Sequence, residues 1–212
     1  MLHYHTIPVT NFQQNASILW CSDTLQAVVI DPGGNLNLLL ADIQRRRLTL
    51  TQIWLTHAHI DHAGGTAELA SSLQLPIIGP HPADQFWIDG LPEQSRMFGF
   101  PACEVFTPTR WLADGDTVTV GHCTLNVRHC PGHTPGHVVF HSPEIKRVFV
   151  GDVLFAGSIG RTDFPQGDHA TLIDSIVTRL WPMGDDTVFI PGHGPESTFG
   201  RERKTNPHVR GT

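Results

Sequence analysis

The stretch Thr56-His57-Ala58-His59-Ile60-Asp61-His62-Ala63-Gly64-Gly65 limits what this chain can be more than any other. Three histidines and one aspartate fall within positions 57–62. The β-favouring run Ile53-Trp54-Leu55 precedes them, and Thr66-Ala67-Glu68-Leu69-Ala70 reads as the start of a helix. The cluster therefore lies on a strand-to-helix loop. Neutral imidazole nitrogen and carboxylate oxygen are good ligands for zinc and similar divalent ions. In extended backbone His57 and His59 project the same way. Asp61 and His62 are adjacent and project differently, which suits two neighbouring ions, one per pair.

Ligand-type residues recur downstream in matching contexts. The loop Cys130-Pro131-Gly132-His133-Thr134-Pro135-Gly136-His137 follows one strand, Gly151-Asp152 ends another, and Pro191-Gly192-His193-Gly194 ends the last. Ends of adjacent strands bring distant loops to one sheet edge, and glycine lets backbone pass close to an ion. The candidate set is His57, His59, Asp61, His62, His133, Asp152 and His193. Seven ligands exceed one coordination sphere but serve two ions that share a carboxylate. His57, His59 and His133 would hold the first, Asp61, His62 and His193 the second, and Asp152 would bridge. Each ion then keeps an open position, unlike a closed structural site.

The order of elements frames these loops. Residues 2–31 read as a β-meander, 35–47 as an amphipathic helix, 53–55 as a strand, 65–73 as a helix and 76–78 as a short strand. Residues 86–100 crowd apolar side chains, as a local mini-core or as a flap beside the site. Thr117 to Val120 and Cys123 to His129 form a hairpin, and Val138 to His141 and Arg147 to Val150 are the next strands. A long loop spans Val153 to Asp168, a helix His169 to Leu180, and a last strand Thr187 to Ile190. Two β-rich halves, each edged by helices and with no linker between them, predict one α+β sandwich domain over 1–212.

Composition narrows the partners. With 212 residues, 40% hydrophobic and 16% charged, the chain is globular. A net charge of -6 and no Lys/Arg block before the tail point away from nucleic acid. No apolar run approaches the roughly 20 residues of a membrane helix, and the N-terminus lacks a signal-peptide pattern. Four cysteines without C-x-x-C pairing read as reduced thiols. A cytoplasmic protein, monomer or weak oligomer, is expected.

Taken together, Thr-His-x-His-x-Asp-His at 56–62, Gly-His-Thr-Pro-Gly-His at 132–137, Gly151-Asp152 and Gly192-His193-Gly194 resemble the metallo-β-lactamase superfamily. The resemblance covers most of the chain and implies the αββα sandwich, two β-sheets flanked by helices. Within it, the sequence is similar to the single-domain glyoxalase II-type hydrolases, which cleave hydroxyacylglutathione thioesters. Gly160-Arg161-Thr162-Asp163-Phe164 and Arg201-x-x-x-x-Asn206-Pro207 carry that likeness. It implies two divalent ions, zinc first with iron or manganese also suited. It implies a small-molecule thioester such as S-D-lactoylglutathione, split to a 2-hydroxy acid and glutathione. Asp61 would serve both as ligand and as the catalytic hydrogen-bond partner of the attacking group. Arg161 would clamp a glutathione carboxylate, or staple its loop to Asp163.

The sequence departs from that pattern in two ways. Full-length glyoxalase II enzymes carry a C-terminal helical domain and tyrosines that grip glutathione. Here nineteen residues follow His193, and Tyr4 is the single tyrosine. Persulfide dioxygenases share the fold and the Gly-Arg-Thr-Asp-Phe segment, and bind one iron through two histidines and a carboxylate. His57, His133 and Asp152 could supply that set, so a mononuclear dioxygenase is the alternative. Two residues are candidates for support roles: Asp31, which could orient a ligand histidine or cap its turn, and His137.

Overall fold

The structure, a computed structural model, describes residues 1–212. The expected meander is β1 (Leu2–Val9), β2 (Gln14–Cys21) and β3 (Gln26–Ile30). Helix α1 (Leu36–Arg45) returns the chain to β4 (Thr49–Trp54), parallel to β3. A turn of helix, α2 (Ile60–Ala63), and α3 (Thr66–Leu73) lead to β5 (Ile77–Ile78). These strands form a sheet in the order β1-β2-β3-β4-β5. Two helices follow, α4 (Gln85–Asp89) and α5 (Leu91–Phe98).

The second half contributes β6 (Thr117–Val120), β7 (Cys123–His129), β8 (Val138–Ser142) and β9 (Arg147–Gly151). After a small hairpin, β10 (Leu154–Phe155) and β11 (Ser158–Ile159), come α6 (His169–Ser175), β12 (Val188–Pro191), β13 (Ser197–Thr198) and α7 (Phe199–Thr205). The second sheet runs β13-β12-β9-β8-β7-β6. Strand β12 is parallel to β9, and the other neighbours are antiparallel.

Alternating side chains explain the layers. Val28 and Ile30 of β3 join Phe140 and Phe149 between the sheets, while Ala27 and Val29 face Leu39 and Ile43 of α1. In β9, Phe149 points inward, and Val148 and Val150 pack on Leu172, Ile176 and Phe199. Each such burial is worth about 1.5–3 kcal/mol. Surface ion pairs such as Arg203–Asp185 contribute about 0–1 kcal/mol. The apolar pattern therefore sets the four layers, helix, sheet, sheet, helix, as the sequence predicts.

Two segments differ from expectation, and the tail adds a helix. The loop over 153–168 contains the β10–β11 hairpin. The helix over 169–180 ends as α-helix at Ser175 and widens into a π-type turn, Ile176–Leu180. The tail forms α7, whose N-cap Thr198 accepts the Arg201 N–H. Buried Asn206 then donates to the carbonyls of Phe155 and Ser158, at 3.4 and 2.9 Å, so the tail braces the hairpin. No helix is long and apolar enough to cross a membrane.

Candidate metal centre

Strands β4, β7, β9 and β12 all end at one edge of the sandwich, and the seven expected ligands meet there. His57 and His59 follow β4, His133 follows β7, Asp152 follows β9 and His193 follows β12. Asp61 and His62 stand on the helical turn α2, not in a loop as their spacing suggests. The donor atoms of His57, His59 and His133 lie within 4.8 Å of one another, and so do those of Asp61, His62 and His193. Asp152 sits between the groups. Its Oδ1 is 3.2 Å from His62 Nε2, and its Oδ2 is 3.5 Å from His133 Nε2 and 3.7 Å from His193 Nε2. His193 Nε2 also lies 3.0 Å from Asp61 Oδ2.

A chemical signature marks the convergence. The Nε2 atoms of His57, His59, His62 and His133 and the Oδ1 of Asp152 are buried without a hydrogen-bond partner. Leaving one buried polar atom unpaired costs about 1–3 kcal/mol. Five at one point are explained by a group that accepts their lone pairs, and histidine nitrogen with carboxylate oxygen fits a divalent cation. No side chain could share this space: a Cβ on Gly192 would collide with Asp152 Oδ1 and His62, and one on Gly33 with the Asp61 carbonyl.

In His57, His62, His133 and His193 the opposite ring nitrogen is anchored, which fixes the tautomer. Asp31 accepts from the Thr56 N–H at 2.7 Å, the Thr56 hydroxyl at 2.6 Å and His62 Nδ1 at 2.9 Å. Its left-handed backbone, φ 52°, turns the carboxylate back beneath the cluster. Because the Thr56 proton goes to Asp31, its oxygen accepts from His57 Nδ1 at 3.0 Å. His133 Nδ1 donates to the Arg161 carbonyl at 2.7 Å, and His193 Nδ1 to the Phe12 carbonyl at 3.1 Å. Asp31 is therefore an orienting residue rather than a mere turn cap. His137 has a matching part: its Nε2 accepts the Asp152 N–H at 3.0 Å, and its ring stacks on His57 at 4.6 Å.

Sequence reasoning missed Asp84. Its buried carboxylate accepts from Ala58 N–H at 3.1 Å, the Thr134 hydroxyl at 3.0 Å and Gly136 N–H at 2.6 Å. It thus ties the His57–His59 loop to the His133 loop. Arg161 was expected at the site for its guanidinium. That group forks onto Asp163 at 2.7 and 2.6 Å, so the staple is formed, and its backbone carbonyl positions His133.

Electrostatics divide the imidazoles: His57, His59 and His133 are held toward the neutral form, while against burial neighbouring carboxylates favour the protonated form of His62 and His193. Burial holds the His57, His59 and His133 pKa values below the ordinary imidazole value. Burial acts the same way at His62, but the Asp152 and Asp61 carboxylates outweigh it and the net shift is upward. Burial would raise Asp152, yet His62, His133 and His193 hold it below the usual carboxylate range.

A cleft of about 860 Å³ opens over this edge. Residues 86–100, expected as mini-core or flap, divide between the core and the wall of the cleft. Ile88 and Leu91 are fully buried in the core, while Trp87, Met97 and Phe98 line the cleft. Tyr4 is remote, its hydroxyl donating to Glu196 at 3.0 Å.

Residues 9–193 match the metallo-beta-lactamase superfamily. The chain belongs to that superfamily. Among its superfamily relatives, hydroxyacylglutathione hydrolase GloC of Haemophilus influenzae is 44% identical over 209 residues, covering 98% of each chain. The solved BLEG-1 B3 metallo-beta-lactamase aligns with a TM-score of 0.90 at 36% identity, covering 99% of this chain and 100% of that one. TTHA1623, solved in a di-iron-bound form, gives a TM-score of 0.87 at 39% identity, covering 96% and 98%. This superfamily member is a metal-dependent hydrolase, and its His/Asp clusters imply bound divalent ions.

Proposed function

We propose that this chain, one domain over 1–212, is a dinuclear hydrolase of glutathione thioesters such as S-D-lactoylglutathione. The gathering of five unpartnered, buried donor atoms beneath a substrate-sized cleft carries the reading. The likeness to GloC supports the thioester class. His57, His59 and His133 would hold one ion, Asp61, His62 and His193 the second, and Asp152 would bridge. Zinc suits this donor set, as do iron and manganese. When bound, such ions bring the pKa of a water near 7 and set positive charge against the developing oxyanion.

The chain's own residues supply the rest. Asp31 and Thr56 hold two imidazoles in the tautomer that leaves Nε2 free. Asp61 would accept a hydrogen bond from the attacking water and aim it at the thioester carbonyl. The leaving thiol, with a pKa of about 8.5, departs as thiolate without a strong general acid. The Arg161 guanidinium, shared with Asp163, would meet a glutathione carboxylate at the rim. The protein would work in the cytoplasm as a monomer or weak oligomer, on a small molecule, without nucleic acid or membrane.

Thiol release from S-D-lactoylglutathione by metal-loaded protein tests the proposal. Asp61→Asn should remove most of kcat while the thermal midpoint stays unchanged. Release no faster than in that variant, with oxygen uptake on glutathione persulfide, would favour the one-ion dioxygenase on His57, His133 and Asp152.

A further inference from the structure

The walls of the cleft are chemically unlike its floor. The floor is histidine and carboxylate; the wall is a chain of aromatic rings. Trp87 stands edge-on to His59 at 4.4 Å and contacts Phe164 at 6.1 Å between ring centres. Phe164 meets Phe98 at 6.3 Å, and Phe98 meets Phe12 at 6.1 Å. The carbonyl of Phe12 holds His193. The arc thus begins and ends on candidate ligands and encloses the space above them.

Much of this arc faces solvent. Met97 is 69% exposed, Phe12 45% and Phe98 36%. Apolar surface grouped beside a polar centre marks a place where an apolar group binds. Among the polar groups in the wall, the Trp87 Nε1 N–H is buried without a partner, whereas Gln94 is engaged. The Gln94 side chain accepts from Ile60 N–H at 3.0 Å and donates to the Trp87 carbonyl at 2.9 Å. Outside the ligand set, the charged lining residues are Arg161 and Glu93, and Arg161 is forked onto Asp163. A lactoyl group, three carbons and a hydroxyl, is too small and polar to cover such an arc.

Resting on the thioester reading, we infer that among thioesters the site favours those with an apolar acyl group, an aliphatic chain or aryl group seated on Trp87, Met97, Phe98 and Phe164. The carbonyl lies over the histidine floor, and the chain beyond it lies along the arc. The acyl group adds binding energy to what the thiol carrier gains from an arginine shared with Asp163.

Two measurements test this. The first compares kcat/KM for S-hexanoyl- and S-acetylglutathione, whose carbonyls have similar intrinsic reactivity. The expected ratio is at least about tenfold in favour of hexanoyl. Met97→Ser, at an exposed position, and Trp87→Ala should each lower that ratio severalfold. The second measures, by calorimetry, the affinity of two unreactive thioethers, S-hexyl- and S-methylglutathione, where the same tenfold preference is expected. Ratios near one in both measurements overturn the inference. A thioether preference without turnover of any thioester keeps the apolar subsite and overturns the hydrolase reading instead.

Discussion

The two proposed ligand groups use the same chemistry in different surroundings. His57, His59 and His133 are 0%, 7% and 2% exposed, all imidazole and closed in by the Asp84 staple. In the other group the His193 side chain is 29% exposed, and its anchor is the Phe12 carbonyl in the turn between β1 and β2. The 191–194 loop hangs on Asn15, whose N–H and side chain reach the Gly192, Pro191 and Gly194 carbonyls at 2.7, 3.0 and 2.8 Å. Since His62 is 0% and Asp61 8% exposed, depth separates the two proposed groups at His193 alone, together with the looser support of its loop. The deep group should grip its ion longer, and the shallow group should exchange it.

The largest expected effect removes what the groups share. Asp152→Ala should deplete both ions and lower kcat/KM by more than about 100-fold, the upper end for an orienting partner. Elemental analysis after metal loading would show it, and retention of both ions would break the bridging role. His193→Ala should lose about one ion per chain and keep the other, whereas His57→Ala should disturb the deep ion. Equal losses in the two variants would erase the contrast.

Asp31 reaches both groups, touching His62 directly and His57 through Thr56. Asp31→Asn should weaken metal affinity or activity by roughly 10–100-fold. Thr56→Val, which cuts only the His57 branch, should have the smaller effect, and chelator competition would rank them.

Five of the seven candidate ligands, His57, His59, His133, Asp152 and His193, were legible because each follows an apolar strand and strand ends share an edge, whereas Asp61 and His62 lie on the helical turn α2. The aromatic arc was only half legible. Residues 86–100 alternate between core and cleft within two short helices, and spacing cannot say which face meets solvent until α3 and β4 are in place. The β10–β11 hairpin has two-residue strands, too short for any period, and its hold by Asn206 depends on a residue about fifty positions away. Asp84 was invisible because its partners are backbone and hydroxyl groups of two distant loops. The Arg161 carbonyl was equally hidden, since a side-chain type says nothing of a backbone role.

Asp84 supplies the smallest expected effect. Burial raises its pKa to about 7 despite three hydrogen bonds that lower it. An ordinary Asp titrates near 3.9, so the folded state holds a proton that the unfolded chain releases. That contribution to stability is full below about 4 and is lost as pH rises through about 7. In chelated protein, the wild type should therefore lose more thermal stability than Asp84→Asn between pH 4 and 7.5. Parallel melting curves would assign Asp84 an ordinary ionised role.

The central claim is two ions of unequal hold. Metal-loaded protein titrated with a graded chelator, with bound metal counted at each step, addresses it most directly. The expected result is two ions per chain leaving in two resolved steps, with the weaker step absent in His193→Ala. One ion at saturation, or two leaving in a single step that His193→Ala does not change, would contradict the account.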